Sequence, residues 1–297
     1  MKKVLVLGGT RFFGKKLVQM LLENGHDVTI ATRGKTEDSF GERVKRLVVD
    51  RGDFQFLKSA VGETKWDIVY DNICYSSKEA VEAGEIFSGK AKHYILTSTL
   101  SVYEFGNGRK REEDFNPYSY PITIGASKDF SYGEGKRLAE AIFFQKADFP
   151  VSAVRFPIVL GLDDYTKRLH FHIQHVMDEK PIGIPNEQAK MGYITSDEAA
   201  SFLYWLGNQQ IAGPINACSN GELSLHEILS IIEEHVGKKA KVEQPTADEN
   251  RSPFGVPDHW YMDTKKAEDA GFVFQQLSNW FPTLVREIFS QMKVAEV

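Results

Sequence analysis

The sequence predicts an α/β protein: a doubly wound parallel sheet with a smaller C-terminal lobe. Three observations predict it. Short apolar runs recur through the first two thirds of the 297 residues, each followed by a stretch of helical periodicity. The first run ends in a glycine-rich turn. Beyond Gly161 the rhythm loosens, and Pro181, Gly183, Pro185, Pro253 and Pro257 cut the chain into turns. Strands that alternate with helices are covered on both faces, so they read as continuous apolar runs in a parallel sheet.

Residues 4–7 form the first strand. Phe13, Leu17, Met20 and Leu21 then recur at i, i+4, i+7 and i+8, one face of a helix, and Gly25 is placed to end it in a left-handed cap. Further strands are expected at 28–31, 44–49, 68–70, 93–97, 151–154 and 215–217. The run Arg109-Lys110-Arg111-Glu112-Glu113-Asp114 reads as a solvated loop. Hydrophobic residues at 42% and charged residues at 26% exclude a disordered or collagen-like chain. Lys plus Arg number 36 against 41 Asp plus Glu, a net charge of −5, which argues against nucleic acid as a partner. Cys74 and Cys218 supply no disulfide framework and read as inert core residues. No apolar stretch approaches the roughly 18 residues of a membrane span. The chain runs from Met1 straight into a strand, without the pattern of a signal peptide, so a reducing, cytoplasmic setting is expected.

Gly8-Gly9-Thr10-Arg11-Phe12-Phe13-Gly14 lies between the first strand and the first helix, the context of a dinucleotide fingerprint. Gly8 permits the tight turn, and Gly14 lets the helix approach the sheet. Thr10, Arg11, Phe12 and Phe13 lie where free N–H groups at the helix start can hold a pyrophosphate. Arg11 stands where a third glycine is often found. The sheet is therefore expected to be Rossmann-like, with residues 1–161 and about 191–220 as the dinucleotide-binding domain. Residues 162–190 and 221–297 are expected to form the substrate lobe. A nucleoside-triphosphate loop is the rival, but Gly14-Lys15 is followed by Lys16, which cannot hold Mg²⁺ as Ser or Thr would. The second strand ends Ala31-Thr32-Arg33, with no carboxylate for a free ribose 2′-hydroxyl. Arg33, about 20 residues beyond Gly14, suits a 2′-phosphate through charge-assisted bonds, with Arg11 as a second contact. The expected cofactor is NADP(H), with NAD(H) as the alternative. Asp50 and Arg51, after the third strand, are candidates to touch the adenine, and Asn72, after the fourth, the cofactor ribose.

Tyr132 and Lys136 stand four apart, on one face of a helix. Tyr261 and Lys265 match the same spacing, but only the first pair follows a strand that ends in hydroxyls, Thr97-Ser98-Thr99-Leu100-Ser101. A free phenol titrates near 10, so work near pH 7 needs a shift of roughly three units, about 4 kcal/mol. One ammonium at about 4 Å supplies roughly that at an effective dielectric near 20. Lys136, with the positive ring of an oxidised nicotinamide, can thus make Tyr132 a general acid/base, while Thr99 holds the substrate oxygen.

Together these residues resemble the extended short-chain dehydrogenase/reductase family of NAD(P)-dependent epimerases and dehydratases. Arg155-Phe156-Pro157-Ile158-Val159-Leu160-Gly161, Tyr193-Ile194-Thr195-Ser196-Asp197 and Asp263-Thr264-Lys265-Lys266-Ala267 follow in the family's order. The resemblance implies Thr99, Tyr132 and Lys136 as the catalytic set. It also implies a substrate-binding second lobe and a homodimer formed through helices near 78–89 and 131–147. The opening Gly-Gly-Thr-Arg-Phe-x-Gly is similar to an atypical branch that includes RNA-binding plastid proteins, so a dinucleotide-holding binding module is the alternative function. Leu100 and Ser101 stand where the family's dehydratases carry Asp-Glu, which disfavours a 4,6-dehydratase. Ile158 stands where the family often has an Asn that contacts a nucleotide sugar, and Arg251 is a candidate for a diphosphate. His170, His172 and His175 invite a metal reading, but His170 would not share the helix face of the other two, and no metal is expected.

Overall fold

The computed structural model describes residues 1–106, 108–244 and 247–295. In chain order the strands are β1 (Lys3–Leu7), β2 (Asp27–Thr32), β3 (Lys45–Val48), β4 (Ile68–Asp71), β5 (Tyr94–Thr99), β6 (Val151–Phe156) and β7 (Ile158–Leu160). There follow β8 (Pro181–Ile182), β9 (Lys190–Met191), β10 (Tyr193–Thr195), β11 (Gly213–Asn216), β12 (Leu223–Ser224) and β13 (Lys241–Val242). The helices are α1 (Phe12–Glu23), α2 (Phe54–Val61), α3 (Ser77–Phe87), α4 (Tyr132–Lys146), α5 (Arg168–Met177), α6 (Ser196–Leu206), α7 (Leu225–Val236), α8 (Lys265–Asp269) and α9 (Leu277–Ala295).

Seven parallel strands make the central sheet in the order β11-β6-β5-β4-β1-β2-β3, the Rossmann-like fold expected. Alternation along each strand sends side chains to two faces. Val4 and Val6 pack with Leu17, Val18, Phe202 and Leu203 of α1 and α6. Leu5 and Leu7 pack with Ala83, Ile86, Ala139 and Phe143 of α3 and α4. From β1 the chain builds outward through β2 and β3, then returns to add β4 on β1's other side. The carboxyl ends of β1 and β4 therefore part into the crevice where ligands bind on such sheets.

Four helices open on a Ser/Thr-x-x-Glu pattern, a capping signal. Ser76, Ser131, Thr195 and Ser224 accept the backbone N–H of Glu79, Glu134, Glu198 and Glu227. The second of these fixes Tyr132 as the first residue of α4.

A separate core joins Leu169, Ile173 and Val176 of α5 with Ile228 and Ile232 of α7 and Phe281 and Val285 of α9. Ala267, Phe272 and Phe274 instead join the α1–α6 face of the sheet, although they fall within 221–297.

Arg109, Arg111, Glu113 and Asp114 of the charged run are exposed as a solvated loop would have them, but Lys110 is buried and Glu112 half-buried. Arg109 pairs with Glu222 at 2.9 Å, and the Glu112 carboxylate accepts the Asn216 N–H at 2.8 Å. Its charges are used in long-range contacts that no local pattern announces. Burial is the largest influence on Glu112 and pushes its carboxyl up.

Two of the three histidines, His172 and His175, are spent on structure. His172 lies 2.9 Å from the Arg168 carbonyl through Nδ1, which must donate, so Nε2 accepts the Ser252 hydroxyl at 2.7 Å. His175 makes the matching pair of contacts with the Phe171 carbonyl and Asn250. Among the described residues no cluster of three or more His, Cys, Asp or Glu could hold a metal. Burial pulls the His172 imidazole down to about 3. Unfolded, it takes a proton near 6.5, so as pH falls from 6.5 toward 3 the unfolded chain binds a proton that the native one refuses. Stability then falls by up to about 1.4 kcal/mol per pH unit. The variant His172→Gln should show a shallower decline between pH 6.5 and 4.5 in urea unfolding, whatever its stability at pH 7.

Candidate active site

A cavity of about 510 Å³ opens at the crevice. Gly8, Thr10, Arg11, Phe12, Phe13 and Gly14 line it, together with Arg33, Asp50, Arg51, Asn72 and Tyr75. The structure thus gathers the whole predicted cofactor set except Tyr132 and Lys136, which stand just beyond Tyr75.

The turn has its own logic. Gly8 adopts φ +83°. Arg11 is extended (φ −136°), so an arginine costs nothing there, and the left-handed residue is Phe12 at φ +52°. A bulky residue in that region is strained, and such strain concentrates at functional sites. A Cβ on Gly14 would lie 2.4 Å from the Gly8 carbonyl oxygen. Gly14→Ala should therefore force α1 off the sheet. It should cost about 1–3 kcal/mol in chemical denaturation and lower dinucleotide affinity at least about tenfold in a fluorescence titration.

Arg33 is exposed and lines the cavity. Arg11 donates through Nε to Thr36 at 3.1 Å and lies 5.7 Å from the centroid of the Tyr165 ring. Asp50 accepts the Gly52 N–H at 2.9 Å. Arg51 turns inward: Nη1 lies 2.6 Å from the Asp71 carboxylate, and Nη2 donates to the Glu79 carbonyl at 3.3 Å. Asn72 accepts the Thr97 hydroxyl at 2.7 Å, while its buried Nδ2 has no hydrogen-bond partner among the described residues.

The predicted catalytic residues converge at the end of β5 and the start of α4. Lys136 is 1% exposed, and its ammonium donates to the carbonyls of Cys74 at 2.7 Å and Thr97 at 2.8 Å. An ammonium has three protons, so one remains for a ligand. Lys136 Nζ lies 5.9 Å from the centroid of the Tyr132 ring, and that tyrosine is 55% exposed. Thr99 is buried; its hydroxyl accepts the Ser101 N–H at 3.1 Å and lies 3.2 Å from the Ser101 hydroxyl. Burial pushes the Cys74 thiol up to about 12, so the loop supplies carbonyls and no nucleophile. Tyr261 and Lys265 share no helix: α8 begins at Lys265, and Tyr261 lies under the Arg109 guanidinium. Ile158 is half-buried and packs against the lobe core. Arg251 is exposed, pairs with Asp248 at 2.9 Å, and does not line the cavity.

Sequence reasoning missed Tyr75 and Tyr165, both on the cavity wall. Neither belongs to a spacing pattern; only the folded loops bring them there.

The sheet order, the glycine turn and the crevice at the switch point define a Rossmann-like α/β protein. The chain belongs to the NAD dependent epimerase/dehydratase family, whose model matches residues 4–217. It is 28% identical over 232 residues to the chloroplast stem-loop binding protein of 41 kDa b of Arabidopsis thaliana, a match covering 72% of this chain and 57% of that one. It is 23% identical over 273 residues to UDP-glucuronic acid decarboxylase 1 of Danio rerio, covering 82% and 62%. The matched stretch thus spans about three fifths of these relatives. The fold is shared with UDP-glucose 4-epimerase of Thermus thermophilus in complex with NAD, at 18% identity and a TM-score of 0.71 over 97% of this chain and 99% of that one. No helix of the described residues is long and apolar enough to cross a membrane.

Proposed function

We propose that the chain is an NAD(P)-dependent oxidoreductase or epimerase of the extended short-chain dehydrogenase type. It acts at a hydroxyl or carbonyl carbon of a sugar-like or nucleotide-sugar substrate. The observation that carries this reading is Lys136, buried, held by two carbonyls and set beside Tyr132 at the end of the crevice. A dinucleotide fits the residues present: Gly14 lets the start of α1 close on the Gly8 turn, and Asn72, in the cavity lining, has a buried Nδ2 with no hydrogen-bond partner among the described residues. When bound, the dinucleotide supplies the hydride acceptor or donor. Tyr132 Oη takes or gives the hydroxyl proton, Lys136 sets its ammonium beside that ring and reaches the ribose, and Thr99 orients the substrate oxygen. Leu100 is buried and apolar beside Thr99, so no acid stands there to expel water, which disfavours 4,6-dehydration. The chain works as a cytoplasmic homodimer. A screen of NADPH oxidation over sugars and small carbonyl compounds tests the reading, together with mass spectrometry of the co-purifying cofactor. Turnover supports it; no turnover and no bound dinucleotide defeat it.

NADP(H) is the preferred cofactor, with Arg33 and Arg11 meeting the 2′-phosphate. Arg33→Asp should lower the ratio of NADPH to NADH affinity by about 10- to 100-fold, since a charge-assisted contact becomes a repulsion. An unchanged ratio contradicts the assignment.

The likeness to a stem-loop binding protein favours one second reading, an RNA-binding module that holds a dinucleotide without turnover. Salt-sensitive RNA binding by a chain that turns over nothing would select it.

A further inference from the structure

Tyr75 joins the two halves of the site. It lines the cavity, and its ring centroid lies 4.6 Å from Lys136 Nζ, nearer than that of Tyr132. The Tyr75 and Tyr132 rings are 6.4 Å apart. The backbone that carries Tyr75 is fixed from three sides. Its N–H donates to the Glu79 carboxylate at 2.6 Å. The Cys74 carbonyl before it takes a Lys136 proton at 2.7 Å. A Cβ at Gly135 would stand 2.4 Å from the Tyr75 carbonyl oxygen, so the loop after β4 seats on α4 only because residue 135 is glycine.

An aromatic face at this distance attracts an ammonium and keeps water from it. Burial, with Tyr132 and Tyr165 adding to it, pushes the Tyr75 phenol up, so the ring is a neutral wall and does not compete for the proton.

We propose that Tyr75 is a positioning residue: its ring clamps the Lys136 ammonium and forms the wall against which the nicotinamide end of the dinucleotide packs. This rests on the dinucleotide reading above. The proposal separates the two ends of the ligand: Tyr75 faces Lys136, while Arg33 and Asp50 are the residues assigned above to the adenosine end.

The test measures affinity for NADPH, NADH and ADP in the wild type, Tyr75→Ala and Tyr75→Phe, with nicotinamide fluorescence for the first two and calorimetry for the third. Tyr75→Ala should weaken NADPH or NADH about five- to thirtyfold and leave ADP, which lacks both the nicotinamide and the ribose that Lys136 reaches, within about twofold. Tyr75→Phe should recover most of the loss, because the ring face is what matters. In turnover, Tyr75→Ala should lower kcat more than it raises the KM of the carbonyl substrate. Equal losses for all three ligands would mark a merely structural residue and overturn the proposal, as would no loss at all. A wild type that binds none of the three defeats the dinucleotide reading and the proposal with it. A wild type that binds them while Tyr75→Ala is silent defeats the proposal alone.

Discussion

Tyr132→Phe should abolish turnover while the dinucleotide still binds. The variant removes one oxygen from a ring that is more than half exposed at the first turn of α4, so little packing is lost. What is lost is the proton carrier. Without it the hydroxyl proton must pass to or from water, and a positioned acid/base of this kind contributes about 10²- to 10⁴-fold. The expected pattern is a fall in kcat of that size, an NADPH affinity close to wild type, and an unchanged unfolding midpoint. Lys136→Met should behave differently. Its ammonium bonds two carbonyls beneath the site, so the variant leaves the Cys74 and Thr97 carbonyls unpaired and loses stability as well as activity. Stopped-flow turnover with a fluorescence titration on each variant separates the two. Retained activity in Tyr132→Phe would reject the catalytic assignment.

Glu140→Ala should be the most destabilising single change. Glu140 and Arg155 are both fully buried and paired at 2.6 Å, with a second contact at 3.1 Å. The same carboxylate accepts the Ser98 hydroxyl, and the guanidinium also donates to the Tyr103 hydroxyl and to the Glu112 and Phe115 carbonyls. This network ties β5, β6 and α4 to the charged segment 109–114. Removing the carboxylate leaves a buried cation unpaired, which costs about 3–5 kcal/mol. Replacing both residues by apolar ones of similar volume should recover part of that loss, since the penalty comes from the orphaned charge. Because α4 also carries Tyr132 and Lys136, Glu140→Ala should lower activity in step with folded fraction. Urea unfolding of the single and double variants measures both effects.

Most of the sheet is legible in the sequence because its strands are buried on both faces. Val4 to Leu7 is apolar at every position, and its residues divide between two cores. The third strand is less so: β3 lies at the edge with mostly exposed side chains, and the structure keeps only Lys45–Val48 of the six residues expected. The glycine turn is legible because two close approaches, at Gly8 and Gly14, demand specific residues. The position of Arg11 is legible only in part, since the strained φ falls one residue later, on Phe12. The Tyr–Lys pair is distinguished from its double at Tyr261 and Lys265 by the hydroxyl-rich strand before it, and in the structure Tyr261 lies outside α8. What the sequence hides is long-range. Nothing local marks Tyr75 as the neighbour of Lys136, 61 residues away, or ties the charges of 109–114 to Asn216 and Glu222. Arg51 reads from sequence as a ligand contact, yet its charge is turned toward Asp71, a partner found only in the fold.

The central claim is that Lys136 and Tyr132 form the reactive end of a dinucleotide site that begins at Gly8 and Gly14. A crystal structure of the chain grown with NADPH measures it most directly, through the distance from Tyr132 Oη to the carbon of the nicotinamide ring that exchanges hydride. With a dinucleotide along the crevice, that distance should be about 3–6 Å, close enough for the phenol to serve a hydroxyl on the same carbon that meets the hydride. A nicotinamide ordered elsewhere, with the phenol in bulk water roughly a dozen ångströms away, would contradict the account.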